Sequence, residues 1–304
     1  MNARKLERLD KMSNPVSSIA SAAAASRRDV NMGRMLVEQG KMTLEEVESV
    51  RRLQKAEGLR FGEAAQRLGL VSEADIQQVL ARQFDYPYLQ AGSGNYPSTL
   101  MAAYQPFSAE VEMLRSVRSE LMLRWFRPGR KTLAIAGVNS GDGASLLAAN
   151  LAVVFSQLGE QTLLVDANLR HPRQHKIFNL AAESGLGLAD VLAGRAGLDM
   201  LAMAESFIDL SLLPAGSLVP NPQELINRSS FVLMNETLCD RFDIILYDTP
   251  AFSSAADVLT IAARAGGVLL VVRKDHTRIA DLAALSDQFR RSGTEVVGSV
   301  MVSF

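Results

Sequence analysis

From about residue 107 onward, unbroken apolar runs alternate with stretches of helical periodicity. The runs are LAIAGV (133–138), TLLVD (162–166), LSLLPA (210–215), DIILYD (243–248), GGVLLVV (266–272) and EVVGSVMV (295–302). A strand that is apolar at every position has both faces covered, and helices between successive strands are the connections a parallel sheet needs. The pattern predicts a doubly wound, mostly parallel α/β domain over 107–304. Residues 29–89 carry helical spacing throughout and predict a small helical domain. Between the two, QAGSGNYPSTLMAAYQP (90–106) gathers Gly, Ser and Pro and reads as a linker. Residues 1–28 hold no sustained period and read as a flexible tail.

The helical domain repeats itself. Residues 31–54 align with 60–83 at an offset of 29: Gly33 with Gly62, Gly40 with Gly69, Met42 with Val71, Val47 with Ile76, Val50 with Val79 and Gln54 with Gln83. Thr43 and Ser72 match as well, each ahead of acidic residues and an apolar helical pattern, where a helix N-cap is expected. Each unit reads as a short helix, a glycine turn and a longer helix. On the residues alone this is a duplicated helical hairpin that packs on its twin and contacts a partner.

Composition narrows the field. The 304 residues include 32 basic and 33 acidic side chains, a net charge of −1 that argues against a dedicated binder of nucleic acid polymers. The single cysteine, Cys239, excludes an intramolecular disulfide framework and fits a reducing compartment. No run approaches eighteen apolar residues, so no segment is expected to span a bilayer unaided. The stretch Ile19–Ala25 is short and two arginines follow it, so it reads poorly as a signal peptide.

The segment Leu133–Ala149, LAIAGVNSGDGASLLAA, reads as strand, glycine loop and helix. Glycines let backbone N–H groups converge on phosphate oxygens, and the helix N-terminus adds its dipole. Gly141, Asp142, Gly143, Ala144 and Ser145 form the candidate cradle for ATP phosphates. The strict phosphate-loop pattern has lysine before the Ser/Thr. Here Ala144 holds that place, and the first glycine comes one residue early, at Gly137. Alone, the segment fits a plain strand–turn–helix as well.

Three further segments follow in order: LLVDANLRHP (163–172), PNPQELINRSSF (220–231) and DIILYDTPAF (243–252). Together with the loop they resemble the cytoplasmic domain of bacterial tyrosine kinases of the exopolysaccharide chain-length class, relatives of the MinD/ParA ATPases, over about residues 105–304. The resemblance implies a P-loop NTPase fold with ATP and Mg²⁺ as cofactors. Ser145, Asp166 and Asp248 would hold the metal, Asp166 would also help activate an acceptor hydroxyl, and Gly141 and Gly143 would offer backbone N–H groups. Glu112, Arg115 and Arg118 fit the Glu-x-x-Arg-x-x-Arg pattern through which family members assemble into rings. Spacings of three set them along one helical face, and the plainer reading of such a pattern is a solvated charged face.

The first module resembles the N-terminal domain of type II secretion and pilus ATPases, in the subset that binds cyclic di-GMP through two tandem motifs. Arg60, Gly62, Gly69 and Gln83 match in the second unit, and Gly33, Gly40 and Gln54 in the first. There Asn31 replaces the arginine and Arg51 an apolar residue. An arginine stacks on guanine or forks to phosphate, which asparagine does poorly.

Three departures bear on activity. Ala144 removes the ammonium that neutralises the β- and γ-phosphates, in a reaction that depends on positioning and electrostatics. Asn168 replaces the second acid of the usual Asp-x-Asp, and an amide gives a hard cation less than a carboxylate. The five tyrosines (86, 88, 96, 104 and 247) include no C-terminal cluster. Tyr247 reads as core, which leaves the other four as acceptor candidates. The expectation is a cytoplasmic, catalytically weakened and oligomeric regulator of exopolysaccharide polymerisation and export, held at the inner membrane by a polysaccharide co-polymerase partner. Two alternatives stand beside it. One is an active tyrosine kinase completed by that partner, with Arg170 or a partner arginine replacing the lysine; the other is a MinD-like positioning ATPase. His175 and His276 have no partners at metal-ligand spacing. The basic run Arg124–Lys131 reads as a solvated helix end or a contact with an anionic surface.

Overall fold

The structure, a computed structural model, describes residues 32–303 except 74, 77, 78, 80–87, 90–94, 181–184 and 205. The expected tail over 1–28, Asn31, Gln83, Tyr86 and the first part of the expected linker lie outside the described residues. The chain divides into two compact units, Met1–Tyr86 and Pro87–Phe304.

In the first unit, helical residues 32–38 (α1) are followed by α2 (Leu44–Glu57), α3 (Phe61–Arg67) and a helix over 73–79 where described (α4). The sequence repeat recurs contact for contact. Gly40 N donates to Val37 O and Lys41 N to Leu36 O, both at 2.9 Å; Gly69 N donates to Gln66 O at 2.8 Å and Leu70 N to Ala65 O at 3.1 Å. Each half therefore ends its first helix in a Schellman turn, and φ values of +68° and +69° explain the glycines at 40 and 69. Thr43 and Glu46 cap α2 reciprocally, and Ser72 and Asp75 exchange the same bonds at the start of α4. A Cβ on Gly33 would lie 3.2 Å from Val47 Cγ1, and one on Gly62 would lie 3.2 Å from Ile76 Cδ1. These two glycines let each short helix close onto the longer helix of its own half. Leu36, Val50, Phe61 and Val79 are fully buried between them.

The second unit is built on seven strands: β1 (Thr132–Gly137), β2 (Thr162–Asp166), β3 (Ala202–Met203), β4 (Leu210–Leu213), β5 (Ile244–Asp248), β6 (Gly267–Arg273) and β7 (Glu295–Val302). They run in the order β3-β4-β2-β5-β1-β6-β7, parallel throughout except for β3 against β4. Six of them are the six apolar runs. Successive side chains alternate between two cores: Leu133, Ile135, Leu164 and Leu246 enter one, and Ala134, Ala136, Leu163 and Ile245 the other. The first face is covered by α5 (Met101–Tyr104), α6 (Ala109–Arg124), α7 (Ala144–Ser156) and the short α8 (Gln174–Ile177). The second carries α9 (Leu188–Leu192), α10 (Pro222–Ile226), α11 (Ser229–Arg241), α12 (Asp257–Ala265) and α13 (Ile279–Arg291). Every residue of α7 from Leu147 to Ser156 is buried, as a helix apolar on all sides must be. No helix among the described residues is long and apolar enough to cross a membrane.

Three sequence expectations give way here. Residues 96–104, read as linker, belong to the packing of the second unit. Leu100, Ala102 and Ala103 are fully buried, Asn150 of α7 accepts from Ala102 N and donates to Thr99 O, and Tyr96 stacks on Phe207. The apolar Leu100–Ala103 stretch drives this, and it outweighs the Gly and Pro that precede it. Arg115 and Arg118 do not form an outward face with Glu112. They fall in one buried stripe with Val111, Leu114 and Leu121, where Arg118 Nη1 donates to Val154 O at 2.6 Å, while the Glu112 side chain stays 62% exposed. The basic run gives way only in part: Arg124 and Arg127 stay exposed, as at a solvated helix end, while the rest is drawn inward. Trp125 and Phe126 are buried, Lys131 Nζ donates to Cys239 O and Phe242 O, and Arg130 lies over the Trp125 ring and pairs with Glu295.

Candidate nucleotide and metal site

Strand β1 is flanked by β5 on one side and β6 on the other; the chain leaves β1 for β2 on the β5 side, whereas it leaves β5 across β1 for β6, so the direction of connection reverses between β1 and β5. In open α/β sheets a crevice opens at this switch of direction. A cleft of about 1220 Å³ lies there, lined by the loop from Gly137 to Ser145 and by Asn168, Arg173, Thr249 and Arg273 among others. Within the loop, Gly141 and Gly143 hold φ values of +90° and +88°, conformations that aim backbone N–H groups inward without steric penalty. Gly143 begins α7 with no side-chain cap, and Ala144, Ser145 and Leu146 line the cleft. The uncapped N–H groups of this 13-residue helix form an anion-binding end.

Asp142 departs from its expected place among the phosphate ligands. It is buried, with Oδ2 accepting from Asn139 N at 2.7 Å, Oδ1 3.1 Å from His276 Nδ1 and its own N–H donating to Asn139 O. Its carboxylate closes the loop from beneath, and a carboxylate aimed at phosphate would repel it. A Cβ at Gly137 would lie 3.1 Å from Asp142 Cβ, which accounts for the early glycine.

The acid pair comes from two neighbouring parallel strands that end in register, with Asp166 opposite Asp248. Both are fully buried. Asp166 accepts from the backbone N–H groups of Asn168, Arg173 and Gln174. Asp248 Oδ2 accepts from Gln174 Nε2 at 2.7 Å, and the Ser145 hydroxyl also bonds to this carboxylate. Burial raises both carboxyl groups above their ordinary range, and the neighbouring Asp166 charge adds to the effect on Asp248. Asp248 Oδ1 is buried and has no hydrogen-bond partner among the described residues. An unpaired carboxylate oxygen, a second carboxylate in register and a serine hydroxyl make a hard oxygen donor set, so Ser145, Asp166 and Asp248 fit a Mg²⁺ ion. Asn168 spends its side-chain oxygen on His171 N at 3.0 Å.

The candidates divide clearly. Gly141, Gly143, Ala144, Ser145, Asp166 and Asp248 converge on one end of the sheet. Arg170 lines the cleft too, with Nε and Nη2 engaged by buried Asp257 at 2.7 and 3.2 Å. Arg173, Lys176 and Arg273 also line the cleft, and Arg273 Nη1 stands 3.4 Å from Gly141 O. Two residues escaped the sequence reading. Gln174 touches both Ser145 and Asp248, and Asp190 binds together the two loops that bring Gly216 and Leu218 to the cleft. Neither has a signal in sequence: Gln174 lies in a polar stretch that reads as surface, and Asp190, in the apolar run GLGLADVLAG, belongs to no motif. Among the tyrosines, Tyr247 is buried and donates to Asn235 Oδ1; Tyr104 Oη bonds to Tyr96 N and O, and the Tyr96 ring packs against Phe178 and Phe207. In the first unit, Arg60 is exposed, as are the turn glycines Gly40 and Gly69, while Gly33 is buried and Gln54 half-buried.

A family model described as cellulose biosynthesis protein BcsQ matches residues 130–288. The tyrosine-protein kinase YwqD of Bacillus subtilis is 30% identical over 202 residues, covering 66% of this chain and 84% of that protein. A putative tyrosine-protein kinase in the cps region of Klebsiella pneumoniae is 28% identical over 251 residues, 80% of this chain and 34% of that longer protein. The chain thus spans about a third of that relative's length. Among solved structures, the chimerical protein CapA2B2 superposes with a TM-score of 0.63 at 29% identity, covering 74% of this chain and 97% of that one. Likeness that covers 84% of one tyrosine-protein kinase, on the sheet that carries loop and acid pair alike, is kinship: the chain belongs to the bacterial tyrosine-protein kinase family.

Proposed function

We propose that this chain is a nucleotide-binding regulator of exopolysaccharide polymerisation and export whose phosphoryl transfer is weakened. It works at the inner face of the membrane, docked on a membrane-embedded polysaccharide co-polymerase. The observation that carries the reading is an acid pair held in register beside a phosphate loop in which Ala144 begins the helix where a cation is needed. When bound, Mg²⁺ supplies charge neutralisation at the phosphate oxygens. The uncapped start of α7 binds and orients the phosphates, and Asp166, Asp248 and Ser145 hold the metal. Without an ammonium, transition-state charge at the γ-phosphate lacks its nearest partner. Tyr247 is buried, and Tyr96 and Tyr104 are half-buried and bonded to each other, which disfavours all three as acceptors in this conformation.

Calorimetry with Mg-ADP, paired with an autophosphorylation assay, tests this. The expected result is saturable nucleotide binding, negligible tyrosine phosphorylation and, in Ala144→Lys, affinity raised about 10- to 100-fold by one added charge pair near the surface. Strong phosphorylation abolished by Asp166→Ala would refute it and favour the kinase completed by a partner.

Cyclic di-GMP control through the first unit belongs to the same proposal. It is supported by the two-fold recurrence of the halves and by exposed Arg60, Gly40 and Gly69. Gly33 and Gly62 already have a packing role, so the nucleotide would meet the turns and Arg60. A titration with cyclic di-GMP, lost in Arg60→Ala, checks it. Self-association would use the α6 surface around Glu112, with Arg118 bracing that helix from inside, and light scattering of Glu112→Arg reads it out.

A further inference from the structure

We propose that Gln174 is part of the divalent-cation site, its side-chain oxygen Oε1 serving as the neutral donor that Asn168 does not provide. This rests on the reading of the cleft as a nucleotide and Mg²⁺ site. Gln174 opens α8 and is 1% exposed. Its Nε2 spends both protons, one on Ser145 O at 3.0 Å and one on Asp248 Oδ2 at 2.7 Å, so the amide orientation is fixed by two acceptors. Oε1 is thereby set opposite the amide nitrogen, buried and without a hydrogen-bond partner among the described residues, the same condition as Asp248 Oδ1. Two buried acceptor oxygens without donors, on side chains bonded to each other, are a place that a cation satisfies and a further acceptor does not. Asn168, where the family pattern has an acid, has its oxygen engaged by His171 N. The backbone N–H of Gln174 also bonds to Asp166 Oδ2 at 2.9 Å, so one residue ties both acids to the phosphate loop.

The test is Mn²⁺ binding to the full chain with ADP present, followed by electron paramagnetic resonance of free Mn²⁺. Thermal melts in metal-free buffer check that each variant folds. Gln174→Leu removes the oxygen at similar volume and is expected to weaken Mn²⁺ about 10- to 100-fold, as loss of a supporting ligand does. Gln174→Glu keeps an oxygen in place and is expected to hold Mn²⁺ at least as tightly as the parent. Should Gln174→Leu fail to fold, Gln174→Met replaces it. Parent-like affinity in Gln174→Leu overturns the proposal, and so does a loss in Gln174→Glu as large as in Gln174→Leu. If the parent itself takes up no Mn²⁺ with ADP, the nucleotide–metal reading fails first and this one with it.

Discussion

Replacing Asp190 by asparagine is a sharp test of how the cleft is held open. Asp190 is 1% exposed and accepts five hydrogen bonds: Oδ2 from Gly187 N and Ser217 N, and Oδ1 from Ser217 Oγ and from Arg195 Nε and Nη2. Burial pushes its carboxyl up, but these donors outweigh burial and leave the group below its ordinary range. The loops it joins are also stitched by Leu188 N to Pro214 O at 2.8 Å and Ala189 N to Ala215 O at 2.9 Å. They approach so closely that a Cβ on Gly187 would fall 2.2 Å from Pro214 O. Asparagine can present only one oxygen. If its amide nitrogen faces the two backbone donors, each is left unpaired at about 1–3 kcal/mol, or about 2–6 kcal/mol in all. If it faces Arg195 instead, that side chain, 53% exposed, swings into water at lower cost, so this orientation is adopted and the loss is about 1–2 kcal/mol. In a domain of this size that lowers the melting temperature by about 2–8 °C. Because Gly216 and Leu218 line the cleft, Mg-ADP affinity should fall with it. Arg195→Met, which removes a half-exposed partner, should lower stability by less than about 1 kcal/mol. A melting temperature within about 1 °C of the parent in Asp190→Asn would refute the reasoning.

Asp248→Asn should stabilise the fold while abolishing Mn²⁺ uptake. The folded pKa is raised, so the native acid pair loses stability as pH climbs from about 4, and the variant's advantage in thermal melts should be largest at alkaline pH. Asp75 has the opposite sign. Its carboxyl, bonded chiefly by the Ser72 hydroxyl and then by Lys41, is lowered to about 2, so its contribution of about 2 kcal/mol is present above pH 4 and lost as pH falls toward 2. Acid titration of the first unit's helical signal in Asp75→Asn should lack that step. Gly267→Ala would put a Cβ 2.4 Å from the Trp125 ring, whose Nε1 donates to Thr132 O. Overpacking of about 1–3 kcal/mol and a shifted emission from this sole tryptophan are expected.

The strands of the second unit were legible because each is apolar along its whole length, and the sequence of a doubly buried strand has few other readings. Strand β3 was not, since Ala202 and Met203 carry no period and join the edge only through β4. The acid pair and glycine loop were legible from residue type and order. What those residues leave unused was not. The turned-in carboxylate of Asp142, the amide of Gln174 and the inward path of Arg118 depend on which backbone groups end up without partners, and that is settled only when helices pack. The charged spacing of Glu112, Arg115 and Arg118 misled for the same reason: a helical face is defined by what covers it, and α7 covers two of the three.

The halves of the first unit reproduce one another down to individual hydrogen bonds, so the molecule carries its own control experiment. Any change in one half has a twin 29 positions away in near-identical surroundings. Gly33 and Gly62 press against Val47 and Ile76 respectively, and Gly33 also meets the Phe61 ring at 3.1 Å, so a Gly→Ala exchange at each reads the shared contact against that added one. Where such twins respond alike, the fold is speaking. Where they diverge, the difference belongs to whatever each half has come to do on its own.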